Sequence, residues 1–258
     1  MNVLTRAPAR AGIPDEEWQI RCDLAALYRL LAHFRMTDLI YTHLSARIPG
    51  PEHHFLINRY GTFFHEMRAS DLVKIDLDGK IVDPVERESR RVNAAGFVIH
   101  SAIYMARPDL LSVIHTHTAA GIGVSAQKEG LLPISQHALK FYDRLGYHNY
   151  EGIAFDRAER ARLIRDLGPH KAMILRNHGL LVGGRSISDT FDQIYFLERA
   201  CQAQVAALAG GQELVLPPKK VRRHTASQFS DESDSDLIEL AWQASLRLIE
   251  RDQPDYRS

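Results

Sequence analysis

The side chains whose types and spacing could do chemistry are histidines. In the stretch LLSVIHTHTAAGIGVSA, residues 110–126, His115 and His117 follow an apolar run and are separated by one residue. Side chains alternate across a strand, so His-x-His puts both imidazoles on one face, roughly 6–7 Å apart along it. Converging rings at that spacing can share one metal ion through nitrogen bonds of about 2.0–2.1 Å. The pair alone leaves a plainer reading open, with one ring a hydrogen-bonded core group and the other at the surface. A third histidine, His178 in MILRNHGLLVGG (173–184), also follows an apolar strand and precedes Gly179. Three imidazoles at the ends of two buried strands, with a coordination position left for water or substrate, fit the pattern of catalytic metal sites.

The elements that must position these rings can be read from periodicity and punctuation. DEEWQIRCDLAALYRLLAHFRM opens with acids and carries Ile20, Leu24, Leu27, Leu31 and Phe34 at helical spacing. LIYTHLSARI and HFLINR read as strands, and LVKIDLDGKIVD as a hairpin around Asp78-Gly79. VNAAGFVIHSAIYMA reads as a helix ended near Pro108, LLSVIHTHT as a buried strand, and AAGIGVSAQ as the start of a helix. DRAERARLIRDLG is an amphipathic helix stopped by Gly168, and KAMILRNHGLLVGG a strand, turn and strand. A long helix follows over SISDTFDQIYFLERACQAQVAALAGG, with Ser188 or Asp189 near its N-cap. LPPKKVRRHTASQFSDESDSD reads as a polar surface connection before a last helix, SDLIELAWQASLRLIERD. The alternation predicts an α/β fold. Its parts are a flexible segment 1–14, a main domain 15–210, and a linker with a C-terminal helix over 211–258.

The 258 residues carry 32 basic and 32 acidic side chains and 45% apolar residues. That balance argues against an electrostatic attraction to nucleic acid or anionic membrane. No apolar run approaches the ~20 residues of a membrane span. The N-terminus lacks a signal-peptide core, and Cys22 and Cys201 are too few for a disulfide framework. The expectation is a soluble cytoplasmic protein. GIGVSA fits a dinucleotide-binding fingerprint loosely, but its glycines fall late, inside the expected helix, and a nucleotide is not expected.

HSAIYMARPDLLSVIHTHTAAGIGVSAQKEGLLPIS (100–135) followed by ILRNHGLLVGG (174–184) resembles the class II aldolase/adducin family, with LVKIDLDGKIVD and IYTHLSARI matching its upstream signature. VNAAGFVIHSAIYMARPD and YHNYEGI are closest to the adducin head and its bacterial relatives. The resemblance implies one three-layer α/β domain with a central, largely antiparallel sheet flanked by helices. It implies a homotetramer with the site at a subunit interface. It also implies one divalent metal ion on His115, His117 and His178: zinc first, with manganese, iron or cobalt as alternatives. Asn58 and Gly61, in INRYG, match the family's substrate loop.

The chain departs from the family's sugar-phosphate aldolases where they carry Ser-Ser-Glu, because Ala94, Ala95 and Gly96 stand there; Thr42-His43 replaces their Gly-Asn phosphate turn. Phosphate hydroxyls and the proton-transfer carboxylate are both missing. Gly96 then either allows close packing or opens room beside the metal, and Gly96→Glu is expected to point a carboxylate back at it. The leading expectation is a metal-dependent carbon–carbon lyase, of decarboxylase or aldolase type. Its substrate would be a small non-phosphorylated hydroxy- or oxo-carboxylic acid, reacting through a metal-stabilised enolate. His137, in PISQHAL, is the candidate proton donor. Arg59, Lys140 and Arg144 are candidate carboxylate partners, Tyr256 a candidate pocket residue in an otherwise disordered end, and His100 a packed histidine. The alternative is a non-catalytic adducin-like oligomeric module that retains the metal site, since the adducin head is not known as an enzyme.

Overall fold

The protein is described by a computed structural model covering residues 12–82, 92–152, 158–229 and 235–258. Most of the N-terminal segment expected to be loose, and the acidic run at 230–234, lie outside the described residues. Helix α1 (Asp15–His33) begins with Asp15, Glu16 and Glu17, acids that suit the positive end of the helix dipole, and buries Leu24, Leu27, Tyr28 and Leu31. The order continues β1 (His43–Arg47), β2 (Phe55–Ile57), β3 (Val73–Ile75), α2 (Ala94–Ala106), β4 (Ser112–Thr116), α3 (Ala119–Ser125), α4 (Gln136–Leu139), β5 (Leu145–His148), α5 (Glu159–Leu167), β6 (Ala172–Leu175), β7 (Gly179–Gly184), α6 (Ile187–Ala209), α7 (Lys219–Gln228) and α8 (Ser235–Glu250).

The seven strands form one sheet in the order β3-β2-β1-β4-β7-β6-β5. Every pairing is antiparallel except β5 with β6. The period-2 alternation sorts each strand between two cores. Leu44, Ala46, Ile114, Leu180 and Val182 face α1, α6 and α8. Phe55, Ile57, Val113, Met173 and Leu181 face α2 and α5. The three-layer, largely antiparallel expectation is the architecture observed.

Local differences have local causes. The expected strand at 39–48 shortens to His43–Arg47, because Leu39 and Thr42 take positive φ of 48° and 67° and turn the chain first. The hairpin at Asp78-Gly79 closes with a single bridge, Ile75 to Ile81. Helix α6 is capped by Ser186, which accepts from the Asp189 amide, rather than by Ser188 or Asp189. The segment read as a linker contains α7. Tyr256, expected in a disordered end, is 1% exposed and donates to Glu250 at 2.7 Å. No described helix is long and apolar enough to cross a membrane.

Candidate metal centre

Three elements bring the histidines to one end of the sheet. His115 is the penultimate residue of β4 and His117 lies just past its end, while His178 sits in the three-residue turn between β6 and β7. That turn is tight: Asn177 takes a positive φ of 55°, which Asn tolerates, and the His178 amide donates to the Leu175 carbonyl at 3.1 Å. A Cβ on Gly179 would lie 2.2 Å from the Thr116 carbonyl oxygen. Only glycine therefore lets β7 approach β4 closely enough to bring His178 against His117.

The three Nε2 atoms converge, at 2.8 Å for His115–His117, 2.9 Å for His117–His178 and 3.2 Å for His115–His178. Tetrahedral coordination at about 2.05 Å per bond would separate them by about 3.3 Å, so a shift of a few tenths of an ångström accommodates an ion. The hydrogen bonds behind the rings fix two tautomers. His115 Nδ1 must donate to the Leu180 carbonyl at 2.9 Å, and His117 Nδ1 donates to the Asp38 carboxylate at 3.0 Å. Both rings thus turn an Nε2 lone pair inward, and two facing lone pairs call for a cation between them. Burial and the neighbouring imidazoles push the His115 pKa well below its ordinary value, and burial, His117 and His148 bring that of His178 down to about 4. His115 and His178 are thereby neutral and ligand-ready at neutral pH. The donor set, the convergence and the oriented backing groups fit a divalent ion.

Behind His115 lies a buried histidine pair that sequence reasoning placed only in part. His43 is the register partner of His115 across β1 and β4, and their ring centroids are 5.1 Å apart. His43 Nδ1 is 2.7 Å from Nε2 of His100, on α2. His100 is fully buried, as expected of a packed residue. A Cβ on Gly96 would sit 2.6 Å from His43 Cδ2. The space that Gly96 was expected to leave open is therefore filled by the His43 ring, and Gly96→Glu has no room to reach the centre. The signal that could have exposed this is the pairing of the two departures already noted, His43 and Gly96.

The remaining candidates scatter. Asn58 is 2% exposed; its Oδ1 accepts from the Tyr28 hydroxyl at 3.0 Å and its Nδ2 has no hydrogen-bond partner among the described residues. Gly61 is exposed with φ 95°. His137 is exposed and stacks on Phe196 at 5.2 Å, with no contact to the triad among the described residues. Arg59 donates to Thr62 at 3.1 Å. Lys140 and Arg144 line a cavity of about 540 Å³ with Arg107, Lys171 and Arg185. Lys171 precedes β6 and Arg185 follows β7, so that cavity is at the opposite end of the sheet from His178.

The Class II Aldolase and Adducin N-terminal domain profile matches residues 22–205. A provisionally named aldolase class 2 protein of Caulobacter vibrioides is 47% identical over 247 residues, covering 96% of this chain and 95% of that protein. Alpha-adducin of Mus musculus is 43% identical over 231 residues, covering 87% of this chain but 31% of the adducin. Among solved structures, an aldolase II superfamily protein from Pseudomonas syringae superposes with a TM-score of 0.91 at 52% identity, covering 96% of this chain and 99% of that one. L-fuculose 1-phosphate aldolase from Glaciozyma antarctica superposes with a TM-score of 0.83 at 27% identity, covering 98% and 96%. The fold, the histidine cluster and these matches agree: the chain belongs to the class II aldolase/adducin N-terminal domain family.

Proposed function

We propose that the protein is a metal-dependent carbon–carbon lyase acting on a small hydroxy- or oxo-carboxylic acid without a phosphate group. The observation that carries this reading is the convergence of the three Nε2 atoms within 3.2 Å, with two lone pairs fixed inward. A divalent ion held by His115, His117 and His178, zinc in this proposal, would supply Lewis-acid stabilisation of negative charge on adjacent substrate oxygens. The His43 ring against Gly96 leaves no place for a carboxylate at that position, which favours a reaction in which no such base removes a hydroxyl proton, such as decarboxylation. Asn58 and Gly61 are retained as the substrate loop, and a homotetramer as the assembly. His137 has no role in this reading within a single chain.

The similarity to alpha-adducin supports a second reading, a non-catalytic module retaining the metal site. Zinc uptake by equilibrium dialysis, followed by a turnover screen over 2-oxo and 2-hydroxy acids, separates the two. The lyase requires one zinc per chain and turnover of at least one acid, both lost in His115→Ala. Undiminished turnover in His115→Ala would exclude the metal mechanism. Bound zinc without turnover would favour the module. Sedimentation analysis tests the tetramer.

A further inference from the structure

A buried row of polar groups runs from α2 through β1 and ends beside the metal centre. The Tyr104 hydroxyl lies 2.7 Å from Ser45 Oγ, Ser45 Oγ is hydrogen-bonded to His100 Nδ1, and His100 Nε2 is 2.7 Å from His43 Nδ1. All four side chains are at most 3% exposed. Burial raises the pKa of Tyr104, so the phenol keeps its proton and can donate. A ring nitrogen that accepts a hydrogen bond carries no proton and leaves the ring's proton on the other nitrogen, so the direction of the row alone fixes both tautomers.

These constraints orient the row. If Tyr104 donates to Ser45, then Ser45 donates to His100 Nδ1 and His100 Nε2–H donates to His43 Nδ1. The one proton of His43 must then sit on Nε2. The opposite direction would leave two groups without a partner among the described residues, the Tyr104 hydrogen and a bare His43 Nε2, whereas this one leaves only the His43 Nε2–H, so the first direction is assigned. Nε2 is the ring nitrogen of His43 with no hydrogen-bond partner among the described residues. The ring packs against His115, with the ring centroids 5.1 Å apart.

We propose that His43 is a fixed hydrogen-bond donor of this centre, its Nε2–H locked by the Tyr104–Ser45–His100 row and directed at a negatively charged oxygen of the substrate. The assignment rests on the lyase reading for its substrate but not for its tautomer. A neutral donor set in place before the substrate arrives stabilises developing charge without reorganisation. His43 is a catalytic residue in this sense, while Tyr104, Ser45 and His100 are positioning residues.

Two measurements test it. Long-range proton–nitrogen correlation spectra of protein labelled in the histidine rings read the tautomer directly, with the His43 signals assigned by their loss in His43→Gln. The wild type should show Nε2 protonated and Nδ1 bare, and Tyr104→Phe, which removes the lead donor, should show a mixture. A wild-type His43 carrying its proton on Nδ1 overturns the proposal, with or without metal. Oxalate, a dianion with adjacent oxygens, is the binding probe, followed by calorimetry on zinc-loaded protein. His43→Phe should bind it about ten-fold or more weakly while keeping one zinc per chain. Unchanged oxalate affinity in zinc-replete His43→Phe, or no oxalate binding by the zinc-replete wild type, also overturns it. If His43→Phe does not fold, the wild-type spectra decide. A wild type that takes up no zinc sinks the lyase reading instead, and the spectra again decide whether the locked donor exists.

Discussion

Two kinds of residue set the centre, those that would touch the ion and those that aim them. His115, His117 and His178 were legible because each leaves an apolar strand, and strand ends in α/β folds are where side chains can converge. Asp38 was not legible. It lies in a turn far from the histidines in the chain, and nothing local marks it as the group that holds His117 Nδ1 at 3.0 Å. Backing groups of this kind typically contribute 10–100-fold to metal affinity. Asp38→Ala should therefore weaken zinc binding by about that factor while the fold stays intact, as read by chelator competition alongside circular dichroism. An unchanged dissociation constant would mean that the Asp38 hydrogen bond has no hold on the ring. Gly96 and His43 make a second test at this scale. Gly96→Ala puts a carbon into the His43 ring and should destabilise by about 1–3 kcal/mol. Combining it with His43→Ser, which empties that space, should recover part of the loss. A double-mutant cycle from urea unfolding should give a coupling of about 0.5–3 kcal/mol, and strict additivity would place the ring elsewhere.

At the scale of elements, long periodic segments were readable and short or polar ones were not. The periodicity of α1 and α6 and the apolar runs of β4, β6 and β7 carry their own signals. Helix α7 does not: within KKVRRHTASQ its single buried residue is Ala226, so no apolar stripe announces it. The α4–β5 stretch mixes a one-turn helix capped by Ser135 with a four-residue strand, each too short for its period to show. The β6–β7 turn is where element geometry becomes site geometry, and Gly179 is its pivot. Gly179→Ala would set a methyl 2.2 Å from the Thr116 carbonyl oxygen, against backbone rather than a yielding side chain. β7 must then move away from β4 and carry His178 with it. The variant should lose about 1–3 kcal/mol of stability in urea. It should also bind zinc more weakly than Gly183→Ala, whose Cβ would meet the flexible Leu110 side chain at the other end of the strand. Equal zinc affinity in the two variants would show that the turn does not set the position of His178.

Over the whole molecule, the sheet is a partition between two cores, and the polar side chains buried within and against it include three histidines near the metal centre. His43, His100 and His115 are at most 3% exposed, and burial depresses the pKa of each well below 6.5. This links stability to pH. An unfolded chain binds protons on these rings near pH 6.5, whereas the native rings stay neutral to much lower pH, so between those values the unfolded state holds more protons. Stability contributed by these rings is therefore complete above pH 6.5 and lost as the pH falls below it, by about 1.4 kcal/mol per pH unit for each such ring. His100 isolates the effect, because it touches none of the three proposed ligands and its bonds run to Ser45 and His43. With chelator present to remove metal linkage, unfolding free energies at pH 7.5, 6.0 and 5.0 should fall more steeply for the wild type than for His100→Gln. Glutamine can occupy the same polar row without a titratable proton, so the difference in slope should approach that of one buried neutral imidazole. Parallel pH dependences would mean that His100 takes up its proton as readily in the native state as in the unfolded chain, and the role of its Nδ1 as acceptor from Ser45 would fall.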